Sequence, residues 1–237
     1  MSGLLAGVGE GLRLLFSGDP EVWGIAGLSL RVSLAATACA LALGVPLGAL
    51  LAHRRHGRLA AAPSPARTAA LGAVNAGMGL PPVVAGLIVS MLLWRSGPLG
   101  GLRLLYTPAA MVVAQAVIAT PIVAGLTAAA LNGLDPSYRL QLRSLGAGPL
   151  RETWLLLREA RVGMLAAVVA GFGAVISEVG AAMMVGGNIR GQTRVLTTAT
   201  VLEVNRGNFE TAVALSAVLL ALVYGVVLLL TIVQGRR

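Results

Sequence analysis

Five long apolar stretches, separated by short polar intervals, set the pattern of this chain. They run over residues 23–52, 68–94, 107–131, 163–187 and 211–233. A helix needs roughly 20 apolar residues to cross a bilayer core of about 30 Å, and each stretch meets that length. The pattern predicts an all-α membrane protein of about five transmembrane helices. Asp19 caps the first and Pro20 suits its first turn. The second is interrupted by Pro81-Pro82, the third contains Pro121, and the fourth carries one acid, Glu178. The interval 133–162 predicts two short helices. The first covers residues 138–145 and ends at Gly146-Ala147-Gly148; the second opens on Pro149. Glu152 early and Arg158 and Arg161 late in that second helix suit its dipole. Leu150, Trp154 and Leu157 give it an apolar face with no partner of its own. In residues 1–21, Leu4, Leu5, Val8, Leu12, Leu15 and Phe16 outline either an interfacial helix or a frayed terminus; a basic n-region of the kind that opens a cleaved signal is missing.

Composition sharpens the membrane reading. Of 237 residues, 57% are hydrophobic and only 11% charged, against about a quarter charged in an average soluble domain. A water-soluble fold of this size would lack the ionised groups to cover its surface. The net charge of +9 comes from 18 basic residues, all of them arginine. Their position argues against a nucleic-acid groove and for membrane orientation. Arg54, Arg55, Arg58 and Arg67 follow the first stretch, five arginines lie in 133–162, and Arg236-Arg237 follow the fifth. The positive-inside rule then places the N-terminus outside and the C-terminus in the cytoplasm. Arg95 and Arg103, and later Arg190, Arg194 and Arg206, fall on the outer side.

Little in the chain suggests catalysis. A Walker-type loop needs a lysine to reach the phosphates, and the chain has none. His53 and His56 stand in a basic loop without a neighbouring acid or thiol to complete a metal site, and the single Cys39 excludes an intramolecular disulfide. Neither a catalytic residue nor a metal ligand is therefore expected. Glu178 has three readings: a proton relay, a substrate contact, or a structural or gating role, paired with Arg31 or with a backbone end. Pro81-Pro82, flanked by Gly77, Gly79 and Gly86, reads either as a simple kink or as the wall of a pathway, because a broken helix needs protein or a water cavity to satisfy its backbone.

The interval Ser144-Leu145-Gly146-Ala147-Gly148-Pro149, followed by Trp154 and Leu155-Leu156-Leu157-Arg158-Glu159-Ala160, resembles the cytoplasmic coupling loop of ABC-importer permeases. Gly146 stands at the family's glycine. Leu140-Gln141-Leu142 departs from the usual Glu-Ala-Ala, and Glu159 from the common proline. Three further stretches resemble the permeases of tungstate importers. They are Gly77-Met78-Gly79-Leu80-Pro81-Pro82-Val83-Val84, Arg95-Ser96-Gly97-Pro98-Leu99-Gly100, and the run from Ile176-Ser177-Glu178-Val179-Gly180 through Gly186-Gly187-Asn188 to Gly191. Thr193-Arg194-Val195-Leu196-Thr197-Thr198-Ala199 fits the same group.

The resemblance implies a type I ABC importer permease fold over residues 22–237. Its partners would be a second copy of the chain, two copies of an ABC ATPase subunit that binds ATP and Mg, and an extracytoplasmic oxyanion-binding protein. Ser144 through Pro149 would dock on the ATPase. Pro81, Pro82, Ser177, Glu178, Gly180, Gly186, Gly187 and Asn188 would form the pathway or gate, with Thr197 and Thr198 as further weak contacts. Arg190 and Arg194 would either draw an anion to the outer mouth, meet acids of the binding protein, or stand solvated. Molybdate and sulfate permeases share the architecture. A gradient-driven secondary transporter would show inverted repeats and several intramembrane charges, which are not evident. A membrane-embedded enzyme would need more acids, histidines or cysteines in the spans.

Overall fold

The computed structural model describes residue 13 and residues 19–52 and 64–235. The interfacial helix expected before Asp19, the His53–His56 cluster with Arg54, Arg55 and Arg58, and Arg236-Arg237 lie outside the described residues, apart from Arg13. From Pro20 onward the described residues form ten α-helices in order: α1 Pro20–Ala52, α2 Pro65–Met78, α3 Pro82–Leu93, α4 Pro108–Asn132, α5 Pro136–Ser144, α6 Pro149–Glu159, α7 Arg161–Ile176, α8 Gly180–Gly186, α9 Leu196–Asn205 and α10 Phe209–Gly235. A 3-10 turn, Gly100–Leu102, lies between α3 and α4. Among the described residues, α1, α4 and α10 are each long and apolar enough to cross a bilayer. The pairs α2–α3 and α6–α7, bent by 103° and 77°, bring the number of possible spans to five.

Proline at N1 or N2 starts α2, α3, α4, α5 and α6, where its missing N–H is no loss. Ser64, Thr107 and Asp135 add side-chain caps to α2, α4 and α5. α1 has 33 residues and rises roughly 50 Å, well beyond a hydrocarbon core of about 30 Å.

The centre of the bundle is α4, packed against α1, α7 and α2. Ala36, Ala40, Gly44 and Gly48 repeat every four residues along α1 and are buried. A Cβ on Gly48 would stand 2.4 Å from the carbonyl oxygen of Ala124, so the stripe lets the two backbones touch. Without a hydrophobic drive between helices in lipid, such close contact is what holds a span pair together. On the opposite side, Leu34, Leu43, Leu47 and Leu50 of α1 and Leu220, Tyr224, Leu229 and Ile232 of α10 are exposed. These apolar faces suit lipid or another protein surface.

Three expectations change. The stretch 163–187 is not one helix: α7 ends at Ile176, residues 177–179 leave helix, and α8 follows. The segment after it is also not plain loop, because Leu196–Asn205 forms α9, with Leu196, Thr197, Thr198 and Ala199 buried. The first short helix of the 133–162 interval begins at Pro136 rather than at Tyr138, because Asp135 Oδ1 accepts the Ser137 N–H at 2.7 Å and fixes the cap there.

Candidate functional site

Two groups of expected residues come together, one inside the bundle and one at its arginine-rich end. Inside, the short helices left by the two broken spans pack on each other. α3 crosses α8 where Gly86 faces Ala181: a Cβ on Gly86 would be 2.6 Å from the Ala181 Cα. A Cβ on Gly180 would be 2.6 Å from Val83 Cγ2. Pro81 and Pro82 at the head of α3 are thereby carried to the Ser177–Gly180 break.

Glu178 is buried, and its carboxylate caps α8. Oε1 accepts the Ala181 N–H at 3.0 Å, while the Glu178 carbonyl accepts the Thr197 hydroxyl at 3.0 Å. Arg31 does not pair with it; exposed on α1, its guanidinium lies beside Gly27 of its own helix. Ser177, exposed, donates its hydroxyl to the Gly173 carbonyl at 2.7 Å.

After α8 the backbone turns sharply, with Gly187 and Asn188 in the left-handed region at φ 70° and 52°. Asn188 is held there by Thr198: its Nδ2 donates to the Thr198 carbonyl at 3.3 Å, and its Oδ1 lies 2.9 Å from Thr198 Oγ1. Thr193, fully buried, donates to the Gly186 carbonyl and accepts the Ile189 N–H. The Leu196 N–H donates to Ser29 Oγ of α1 at 2.8 Å. Asn188, Thr193, Thr197 and Thr198 thus bind the protein's own backbone. Thr193 as a brace and Ser29 as an anchor were missed in the sequence, where a small hydroxyl inside an apolar run has no distinguishing signal.

Arg190 and Arg194 converge on one carboxylate at the start of α1. Arg190 Nε donates to Glu21 Oε1 at 2.8 Å and its Nη2 to Oε2; Arg194 Nη1 lies 3.9 Å from Oε1. The Glu21 carboxylate beside Arg190 raises that guanidinium's pKa above its ordinary value. Arg190 remains a solvated charge, its side chain 72% exposed in this pair, whereas the Arg194 side chain is mostly covered, at 15%.

At the other end, α5 and α6 form a hairpin. Gly146 sits at φ 77° with open space around its Cβ position, closing α5 through a bond from its N–H to the Arg143 carbonyl at 2.9 Å. Ser144 ends α5, Leu145 caps it, Gly148 precedes α6 and Pro149 opens it; Ala147 packs partly into the core. Arg143 of α5 and Glu152 of α6 make a bidentate pair, at 2.8 and 3.1 Å. Glu152 is 3% exposed, so α6 turns an acid and Leu156 inward. The Glu152 carboxylate raises the Arg143 guanidinium's pKa above its usual range. The face assigned to Leu150, Trp154 and Leu157 is therefore split. Leu150 and Trp154 stay out with Leu140 and Leu145, at 89%, 58%, 53% and 84% exposure, whereas Leu157 packs on the core.

The hairpin and α2 are both tied to the end of α1. Arg67 donates to the Leu51 carbonyl at 2.6 and 3.1 Å, and Arg139 to the Ala52 carbonyl at 3.4 Å. Cations at these terminal carbonyls also meet the negative end of the helix dipole.

Comparisons with known proteins agree with this architecture. A chain of the inward-facing MetNI methionine ABC transporter superposes with a TM-score of 0.70, covering 92% of this chain and 96% of its own, at 22% identity. A tungstate uptake system permease protein of Peptoclostridium acidaminophilum is 39% identical over 225 residues, 92% of this chain and 94% of that protein. A probable anion ABC transporter permease protein of Haloferax volcanii is 39% identical over 208 residues, 85% of this chain and 86% of that protein. Molybdenum and sulfate transport permeases are more distant, at 29% and 26% identity. Residues 44–236 match the family described as binding-protein-dependent transport system inner membrane component, and the chain belongs to that family of transport permeases.

Proposed function

We propose that this chain is the permease subunit of an ATP-driven importer that moves an oxyanion, tungstate, into the cytoplasm. The α5–α6 hairpin is the observation that carries the importer reading. It exposes Leu140, Leu145, Leu150 and Trp154 on an otherwise charged helix pair, braces them with the Arg143–Glu152 pair, and ties them to α1 through Arg139. An apolar patch of this kind on a charged surface suits a protein partner. The partner proposed is an ABC ATPase, two copies of which bind ATP and Mg and press on the hairpins of two permease copies. The substrate rests on the 39% identity to the tungstate permease.

In this reading the N-terminus lies outside and the hairpin in the cytoplasm, as the arginine distribution favours. The pathway runs where α3 and α8 meet, along the two-fold axis of the dimer. Small residues and backbone groups there suit weak contact, so that a dianion passes rather than lodges. An external binding protein supplies the specificity.

Vesicles containing the permease, its ATPase and its binding protein provide the test. Tungstate should accumulate only when ATP is present on the cytoplasmic side. Uptake that continues without the ATPase overturns the importer reading, and uptake of sulfate in preference to tungstate overturns the substrate.

A further inference from the structure

α1 carries a full charge within its span. Arg31 stands eight positions after Trp23, about 12 Å further along the helix axis. Both side chains are exposed, and the spacing of three and four residues puts them on one face with Gly27, Leu34, Ala35 and Ala38. Val32, Ser33 and Ala36 turn the other way and are buried. The charge therefore lies on the side of α1 that faces away from the bundle.

An arginine at this depth needs a counter-charge or water, because a bare cation in hydrocarbon is costly. Among the described residues no carboxylate pairs with Arg31. Glu21, the acid nearest in sequence, is held by Arg190 and Arg194, and residues 22–134 contain no aspartate or glutamate. The side chain itself shows the direction of relief. Arg31 Nη2 lies 3.8 Å from where a Cβ on Gly27 would stand, so the guanidinium has climbed one turn toward the N-terminal end of α1. One turn is about 5.4 Å, so roughly half the distance to the level of Trp23 remains. Tryptophan favours the headgroup level of a bilayer.

We propose that this face of α1 binds an anionic phospholipid, its phosphate seated over Gly27 between Trp23 and the Arg31 guanidinium. A phosphodiester drawn toward the arginine closes the remaining gap, as local thinning of a bilayer around a buried charge does. It meets the guanidinium fork with two parallel hydrogen bonds. The acyl chains then run along Leu34, Ala35 and Ala38, which are exposed and apolar. The proposal requires only that α1 cross the bilayer, not that the complex import a particular anion.

Two other occupants fit this face less well. A free oxyanion would find one guanidinium, donating from one side, on a surface that is otherwise apolar. A second copy of the chain, docked through a two-fold contact, would set Arg31 near its own counterpart on an acid-free surface. A lipid supplies both the anion and the apolar cover.

The test uses the assembled permease–ATPase complex in lipid nanodiscs, with a fluorophore attached at Ala35→Cys in a Cys39→Ala background. Phosphatidylglycerol or phosphatidylcholine bearing a nitroxide midway along an acyl chain is titrated into the discs and quenches the label on contact. Phosphatidylglycerol should reach half-quenching at about a fivefold lower mole fraction than phosphatidylcholine, the gain expected from one arginine beside an anionic headgroup. Arg31→Gln should abolish that preference, while Arg31→Lys, which keeps the charge but not the fork, should retain about twofold or more. Co-elution with the ATPase checks that each variant assembles. Equal quenching by the two lipids, or a preference that survives Arg31→Gln, overturns the proposal. A label reached by neither lipid overturns it as well, because a protein surface then covers the face. Loss of the preference on adding sodium tungstate or inorganic phosphate at constant ionic strength also overturns it, and assigns the arginine to a free oxyanion.

Discussion

At residues 79–81 the chain leaves helix beside two prolines, which supply no N–H to an upstream turn and whose rings clash with it. At residues 177–179 it leaves helix without any proline. There Glu178 offers its carboxylate to the Ala181 N–H, and Thr197 offers its hydroxyl to the Glu178 carbonyl. The first break is written in backbone chemistry and is local. The second is held by side chains, one of them from α9, and depends on the rest of the fold. The two breaks nevertheless deliver short helices to the same place, where Gly86 meets Ala181. A break that depends on tertiary bonds is one that a rearrangement can undo, so the second is the better candidate for a moving part.

Five substitutions at four positions probe this difference. Gly86→Leu should have the largest effect. Its side chain has no room against the Ala181 backbone, and overpacking of this kind costs on the order of 1–3 kcal/mol or more. Tungstate uptake in vesicles should fall to background although the subunit inserts. Glu178→Ala should come next, leaving the buried Ala181 N–H without its acceptor at a cost of about 1–3 kcal/mol and lowering uptake about tenfold or more. Glu178→Gln keeps an acceptor oxygen and should retain uptake within about threefold. Equal loss in both variants, read as initial uptake rate, would instead favour the proton-relay reading. Thr197→Val removes one bond worth about 1 kcal/mol, and uptake should fall about fivefold. Pro81→Ala should matter least, within about twofold, because Pro82 still lacks its N–H and still opens α3.

The same contrast explains what was legible in the sequence. Hydrophobic length gave the spans, because burial in lipid acts on each segment separately. Pro81-Pro82 marked the first break, and Pro149 with Gly146 marked the turn of the α5–α6 hairpin, since both act through local backbone geometry. The second break was hidden inside 163–187, which reads as one apolar span. Its only signal was Ser177-Glu178 placed just before Gly180, a capping pattern that periodicity overrides. α9 was hidden for a related reason: its Thr197 and Thr198 look like loop residues until Glu178, Asn188 and Val195 are seen to bond them. In α6 the inward turn of Glu152 could be expected only once Arg143, nine positions earlier, was known to fold back on it. Asp135-Pro136, by contrast, was a readable cap that the periodicity of the following residues obscured.

The proposed transport pathway lies at the junction of the two broken spans, and Ser177 tests that placement most directly. It is exposed beside the second break and bonds only within α7. In the Cys39→Ala background, Ser177→Cys should react with a membrane-impermeant charged thiol reagent in one nucleotide state of the permease–ATPase complex and be protected in the other. A cysteine that stays unreactive in every nucleotide state, as one facing lipid would, contradicts the placement.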